Sequence, residues 1–487
     1  ALAPEEKKTT VPVLFLLLSQ HAGYRNEKHS TQKGIRAIAR ELFTDLNKNA
    51  KTVDTARQLV LDDWDLTARC VRELITDEAA RDSKNVLPLT LIRWQDAINR
   101  FDTSFYLNSL VHLQMLVEDV LNLPPLKAMD GPAVRDYIKR VGAVLGNDGA
   151  LVDPETKRTL LDVYEKDYCD PEGDPQTPFM RLPSTYLEHA IQGFRKHHRS
   201  WIIRLLTEFA PYKQLLGYAR EHNLIEGEFG KWHAQTKKHR ELLKSEFNAK
   251  DANWYTREIL SHMERIEQLK GNKDDADWSF KAIFQKALVR LARSVVFEGA
   301  GDAARLGTLD TLLAVFDSLH ARGVLRVRAP LKGHSFGLWA FIGTNPGNQK
   351  IKVTASVEDN IFSLLRLWYY ANRKVALDLA TPDTSALSTV TPPADARKLL
   401  AFFEMKKNIP QWPGADDCID KLRKVLASPV LFKAENLQDG VESEVDQAKL
   451  KADRDEIVMR RLAAVLEAGL VVAPSAQTPT DADAAVA

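Results

Sequence analysis

Between residues 193 and 206 the chain reads GFRKHHRSWIIRLL, which gathers Arg195, Lys196, Arg199, Arg204, two adjacent histidines and Trp201. Side chains of these types do three kinds of chemistry. Histidines hold metals or move protons, cations grip phosphate or carboxylate, and an indole stacks on rings or on cations. Seven of the twelve histidines fall between 189 and 262: His189, His197, His198, His222, His233, His239 and His262.

A helical zinc site takes the form H-E-x-x-H, two ligands one turn apart with a glutamate between them. The sequence has no such run. His197 and His198 are adjacent, so on a helix they point about 100° apart. His233 and His239 are six residues apart and fall on opposed faces, while Glu188 and His189 face apart as neighbours do. No metal ligand set and no acid–base pair is expected here.

The charge pattern carries more. Arg195, Lys196, His197 and Arg199 run beside Trp201, and Lys231, Trp232, Lys237, Lys238 and Arg240 repeat the theme further on. If these two helices lie antiparallel, their basic edges line one groove for an anion, a nucleic acid or an acidic partner. The plainer account is an amphipathic helix, with Trp201, Ile202, Ile203, Leu205 and Leu206 inward and the cations in water. On either account the stretch is a surface, not a catalytic centre, and the plainer account is preferred.

Two other motifs invite chemistry and fall short of it. Gly299, Gly301 and Ala304 spell G-x-G-x-x-A, but helical spacing precedes them where a dinucleotide fold needs a strand. The clusters DDWD (62–65) and DDAD (274–277) miss the D-D-x-x-D spacing of diphosphate-binding helices by one residue and read as capping and solvated loops. No nucleophile elbow or Walker loop is present, so no catalytic residue and no cofactor is expected. Trp368, Tyr369 and Tyr370, beside basic residues, and Trp412, in a proline-bracketed loop, have the composition of protein interfaces.

The elements that must hold these groups are mostly helices. Apolar residues recur at spacings of three and four over 31–49, 52–75 and 104–123, where Thr52 is a plausible N-cap and Pro124 and Pro125 a stop. The pattern returns over 184–222, 226–247, 252–270, 278–297 and 361–379, and in a long helix of about 441–468 ended by Gly469. Alternation over 324–357 predicts three short strands. The expected fold is therefore mainly α, in multi-helical modules, with one small antiparallel β meander at about 324–357. The expected units are 1–125, a proline-rich connection 126–183, a long-helix unit 184–297, a helix plus meander 298–379, a linker 380–395, a helical module 396–470 and a tail 471–487.

Composition limits the function. Lys plus Arg number 67 against 66 Asp plus Glu, a net charge of +1, so any hold on nucleic acid must be local. Three scattered cysteines form no C-x-x-C pair and suit a reducing compartment. No apolar run reaches about 18 residues, so no transmembrane segment is expected. An Ala1 start fits either methionine removal or cleavage of a targeting peptide. These features point first to a non-catalytic structural or accessory subunit of a large multiprotein assembly, bound to other subunits or copies of itself, with a mitochondrial respiratory or ATP-synthase type of complex as one setting. The alternatives are a mainly helical viral coat protein that assembles around nucleic acid, and an enzyme or nucleic-acid-processing factor using the 189–262 region.

Overall fold

Several helices of this chain begin where a short oxygen-bearing side chain meets an apolar repeat. In a computed structural model of the protein, Asp65 Oδ1 accepts from the Ala68 amide at 2.6 Å, Ser109 Oγ from His112 at 3.1 Å and Thr308 Oγ1 from Thr311 at 3.3 Å. Thr159 and Asp162 cap each other's backbone reciprocally. The structure describes residues 55–76, 86–93, 106–123, 131–173, 175, 179, 181–222, 254–271, 276–296, 308–332, 334, 336–345, 350–380, 414–428 and 444–470. The predicted helices at 31–49 and 226–247, the glycine motif at 299–304, the linker and the tail lie outside them.

The first half contains α1 (Thr55–Leu61), α2 (Leu66–Ile75), α3 (Leu110–Leu121), α4 (Gly131–Leu145), α5 (Leu160–Asp167) and α6 (Ser184–Phe194). A π-helical turn, Arg195–Arg199, joins α6 to α7 (Ser200–Glu208), and α8 (Ala210–Glu221) follows. The second half contains α9 (Trp254–Leu269), α10 (Ala282–Val296), α11 (Leu309–Ala321), α12 (Ala355–Ala380), α13 (Ala415–Leu426) and α14 (Glu444–Ala468). The protein is mainly helical, and its buried apolar side chains connect from Ala56 to Leu466 in one cluster. The one sheet among the described residues is a parallel pair, β1 (Ile92–Arg93) and β2 (Asn108–Ser109). No described helix is long and apolar enough to cross a membrane.

The antiparallel meander expected at 324–357 is replaced by turns with isolated bridges, one of them parallel. The apolar residues that suggested strands are core plugs. Trp339 is fully buried, its ring 4.9 Å from that of Trp278 and 5.7 Å from that of Trp368, and its Nε1 donates to the Val324 carbonyl at 3.0 Å. Some backbone amides here bond locally, as from Ala340 to Gly337, and others pair singly, as from Leu338 to Ala329 and from Lys352 to Gly343, so no continuous ladder forms. A short apolar run meets either need, which is why its pattern misleads.

Three predicted helices are broken. The 278–297 stretch is a 3-10 turn at Trp278–Phe280 and an extended Lys281 before α10 begins at Ala282. The 52–75 stretch stops at Leu61, because Asp62 Oδ1 accepts the amides of Trp64 and Asp65 and turns the chain before Asp65 caps α2. The 184–222 stretch breaks at Phe209, whose ψ of 129° is extended, two residues before Pro211. Asp317 on α11 then receives the Ala210 amide at 2.7 Å, supplying from a neighbouring helix the cap that α8 lacks locally. The α3 helix ends at Asn122 in the left-handed conformation, ahead of the expected proline stop.

Candidate functional site

The helix through Ser184–Arg199 presents three faces, and each has a different fate. Glu188, Arg195 and Arg199 recur at intervals of seven and four, and so share one stripe. That stripe lies on α2. Arg195 donates Nε to Glu73 Oε2 at 2.6 Å and Nη2 to Oε1 at 2.8 Å, a two-pronged pair. Arg199 Nε reaches the Glu73 carbonyl at 2.7 Å, and Glu188 accepts from Arg69 at 2.8 Å.

The second face is core. Trp201 is 6% exposed and His198 is fully buried. His198 Nε2 sits 3.1 Å from the Val144 carbonyl, which can only accept, so the proton is on Nε2. Burial holds His198 well below the usual imidazole range, at about 4, and the bond to Val144 offsets only part of this.

The third face carries His189, Gln192, Gly193 and Lys196, spaced i, i+3, i+4 and i+7. It looks into a cleft of about 180 Å³ closed on the other side by the end of α4 and residues 146–152. Lys196 Nζ donates to Asn147 Oδ1 at 3.3 Å, and His189 Nδ1 is buried without a protein partner.

The basic edge expected for a nucleic acid or acidic partner is thus divided. Arg195 and Arg199 are held by Glu73, Trp201 is interior, and Arg204 is shared between Glu208 at 2.8 Å and Asp310 at 2.6 Å. A phosphate at this edge would have to displace a carboxylate already in place. Lys196 remains at the surface, and half-buried His197 is lowered by burial and by the adjacent Lys196 charge. Lys231, Trp232, Lys237, Lys238 and Arg240 lie outside the described residues.

Glu73 was not among the sequence candidates, since no local pattern announces a partner 122 residues away. Replacing Glu73 with alanine is expected to cost about 1 kcal/mol, because Arg195 is 44% exposed and its pair is partly screened. A double-mutant cycle with Arg195→Ala in urea measures this. Additive effects would show that the pair contributes nothing.

The interface reading of Trp368, Tyr369 and Tyr370 is corrected by their burial, at 0%, 0% and 3% exposed. These rings are occupied within the chain. α12 packs on α10, α11 and α13, and Trp368 Nε1 donates to the Val465 carbonyl of α14 at 3.2 Å. Trp412 lies outside the described residues.

The histidine-rich region does bring two rings together. His222 and His262 stand 5.0 Å apart between centroids, with the Tyr218 hydroxyl 2.7 Å from His262 Nδ1. Among the described residues no group of three or more His, Cys, Asp or Glu side chains is placed to hold a metal ion.

A second polar knot ties α10 to α3 and α12. Lys286 bridges Asp119 at 3.5 Å and Glu358 at 2.9 Å, while Arg290 bridges Glu358 at 2.8 Å and Asp359 at 3.0 Å. Burial pushes Asp119 up to about 6 despite the lysine beside it. Like the α2–α6 contacts, this knot fastens helices. Compared with protein-family models, with curated proteins and with solved structures, the chain gives no match.

Proposed function

We propose that the chain is a non-catalytic structural subunit of a larger protein assembly, as in organellar complexes of the respiratory or ATP-synthase type. One observation carries this reading. In the segment richest in reactive side chains, Arg195, His198, Arg199 and Arg204 are committed to fastening helices, through Glu73, Val144, Glu208 and Asp310. Arginines held by carboxylates in this way confer rigidity and leave little charge to bind phosphate. Near-neutral overall charge suits partners that are proteins.

The test is native size separation of a gentle extract, with mass spectrometry of the co-migrating fraction. A discrete particle much larger than 54.8 kDa, with constant protein companions, is the expected result. A free monomer overturns the proposal. A particle of this chain and nucleic acid alone overturns it in favour of a coat protein.

A further inference from the structure

At the C-terminal end of α8, histidine rings from two helices meet. His222 caps α8 and is exposed, and half-buried His262 comes from the middle of α9. Their ring centres are 5.0 Å apart, with the planes at 51°. One residue holds both. The Tyr218 ring, one helical turn before His222, lies 4.4 Å from it, and the Tyr218 hydroxyl is 2.7 Å from His262 Nδ1.

Three features fit this pair to a metal ion. A metal held about 2.0–2.1 Å from each imidazole nitrogen, at a tetrahedral angle, puts two ring centres roughly 5 Å apart. The observed spacing of the rings therefore needs no change in the separation of α8 and α9. Next, a ligating histidine is normally steadied through its other ring nitrogen, and Tyr218 stands in that place at His262. With the hydroxyl accepting from Nδ1–H, the Nε2 lone pair of His262 is the ligating one. Finally, His222 is at the surface, and among the described residues its ring makes only the two ring contacts, so an ion reaches it without unfolding. Arg265 and Glu221 act on Tyr218 with opposite signs, so the arginine's repulsion of a cation is met by the glutamate.

We infer that His222 and His262 bind one divalent late first-row transition ion, zinc or copper, with Tyr218 as a positioning residue. Imidazole suits these ions, whereas magnesium and calcium take oxygen ligands. Two protein ligands are fewer than the three of a typical open zinc site, so water fills the other positions and the hold is weaker. The bound ion ties the end of α8 to α9. The assembly proposed above does not depend on it.

The probe is zinc chloride, titrated into the purified full chain after treatment with a chelator, at about pH 7.5 and with magnesium chloride as reference. Calorimetry reads the affinity, and hydrogen exchange at residues 216–222 and 261–266 reads the place. Saturable binding that protects both segments is expected. His222→Gln and His262→Gln should each weaken it at least about tenfold, and Tyr218→Phe, which keeps both ligands, by about tenfold. At about pH 5 the imidazoles take protons and binding should be lost. Because His222 is exposed, His222→Gln should unfold at the urea midpoint of the parent, which separates loss of a ligand from loss of the fold. No saturable binding, zinc protection confined to other segments, undiminished binding by His222→Gln, or equal binding of magnesium overturns the inference. Undiminished affinity in Tyr218→Phe overturns the positioning role.

Discussion

Gly193→Ala is expected to destabilise the protein by about 3 kcal/mol, well beyond a typical surface substitution. The reason is contact between backbones. A Cβ at Gly193 would lie 1.8 Å from the Leu145 carbonyl oxygen and 2.7 Å from its carbon. Those atoms belong to the last turn of α4 and have no rotamer to escape into. Relief requires α6 to move away from α4, and that movement would pull His198 off the Val144 carbonyl and open the cleft. Gly217→Ala, on the exposed side of α8, is the control. No atom lies within 4 Å of its added Cβ, so removing a glycine from a helix interior should stabilise by about 0.5–1 kcal/mol. Urea unfolding of both variants decides the matter. A loss under about 1 kcal/mol for Gly193→Ala would mean that the two helices are not held at this distance.

Local signals in the sequence carried the parts of the fold that local physics controls. Amphipathic spacing marks α2, α7 and α10. Gly469 follows α14, and the DDWD cluster performs the capping expected of it, through Asp62 and Asp65. The break at Phe209 has a visible cause in Pro211, although apolar residues recur on both sides of it. The 324–357 segment looks like strands in sequence because Leu325, Leu338, Trp339 and Ile342 enter the core from turns, and periodicity over so few residues does not separate a turn from a strand. The candidate site was half legible. The stripe of His189, Gln192 and Lys196 follows from spacing alone, but what faces it does not. Glu73, Asn147 and Val144 come from 122, 49 and 54 residues away. The aromatic run at Trp368–Tyr370 shows the same limit, since interface and core use the same residue types.

Stability should fall as the pH drops below about 6.5, and two buried histidines set the direction. His112 is fully buried on α3 beside Lys286, and burial with that positive charge holds it down to about 3. His198 is held to about 4. In the unfolded chain both take a proton near 6.5, so below that pH the unfolded state binds more protons and is favoured. The stability these neutral rings contribute is fully present above about 6.5, and each loses about 1.4 kcal/mol per pH unit below it. Asp119 acts in the opposite sense. Its folded value of about 6 exceeds its unfolded one, so between about 6 and 4 the folded state gains a proton first and is favoured. Asp119 therefore offsets part of the fall that the two buried histidines cause in that window. His112→Asn removes one loss and should make the dependence shallower by up to about 1.4 kcal/mol per pH unit, at a fixed cost in packing that is the same at every pH. Urea midpoints for both proteins at about pH 7.5, 6.5 and 5 give the slopes. Parallel slopes would show that His112 is protonated in the folded state and that the α3–α10 seam admits a charge.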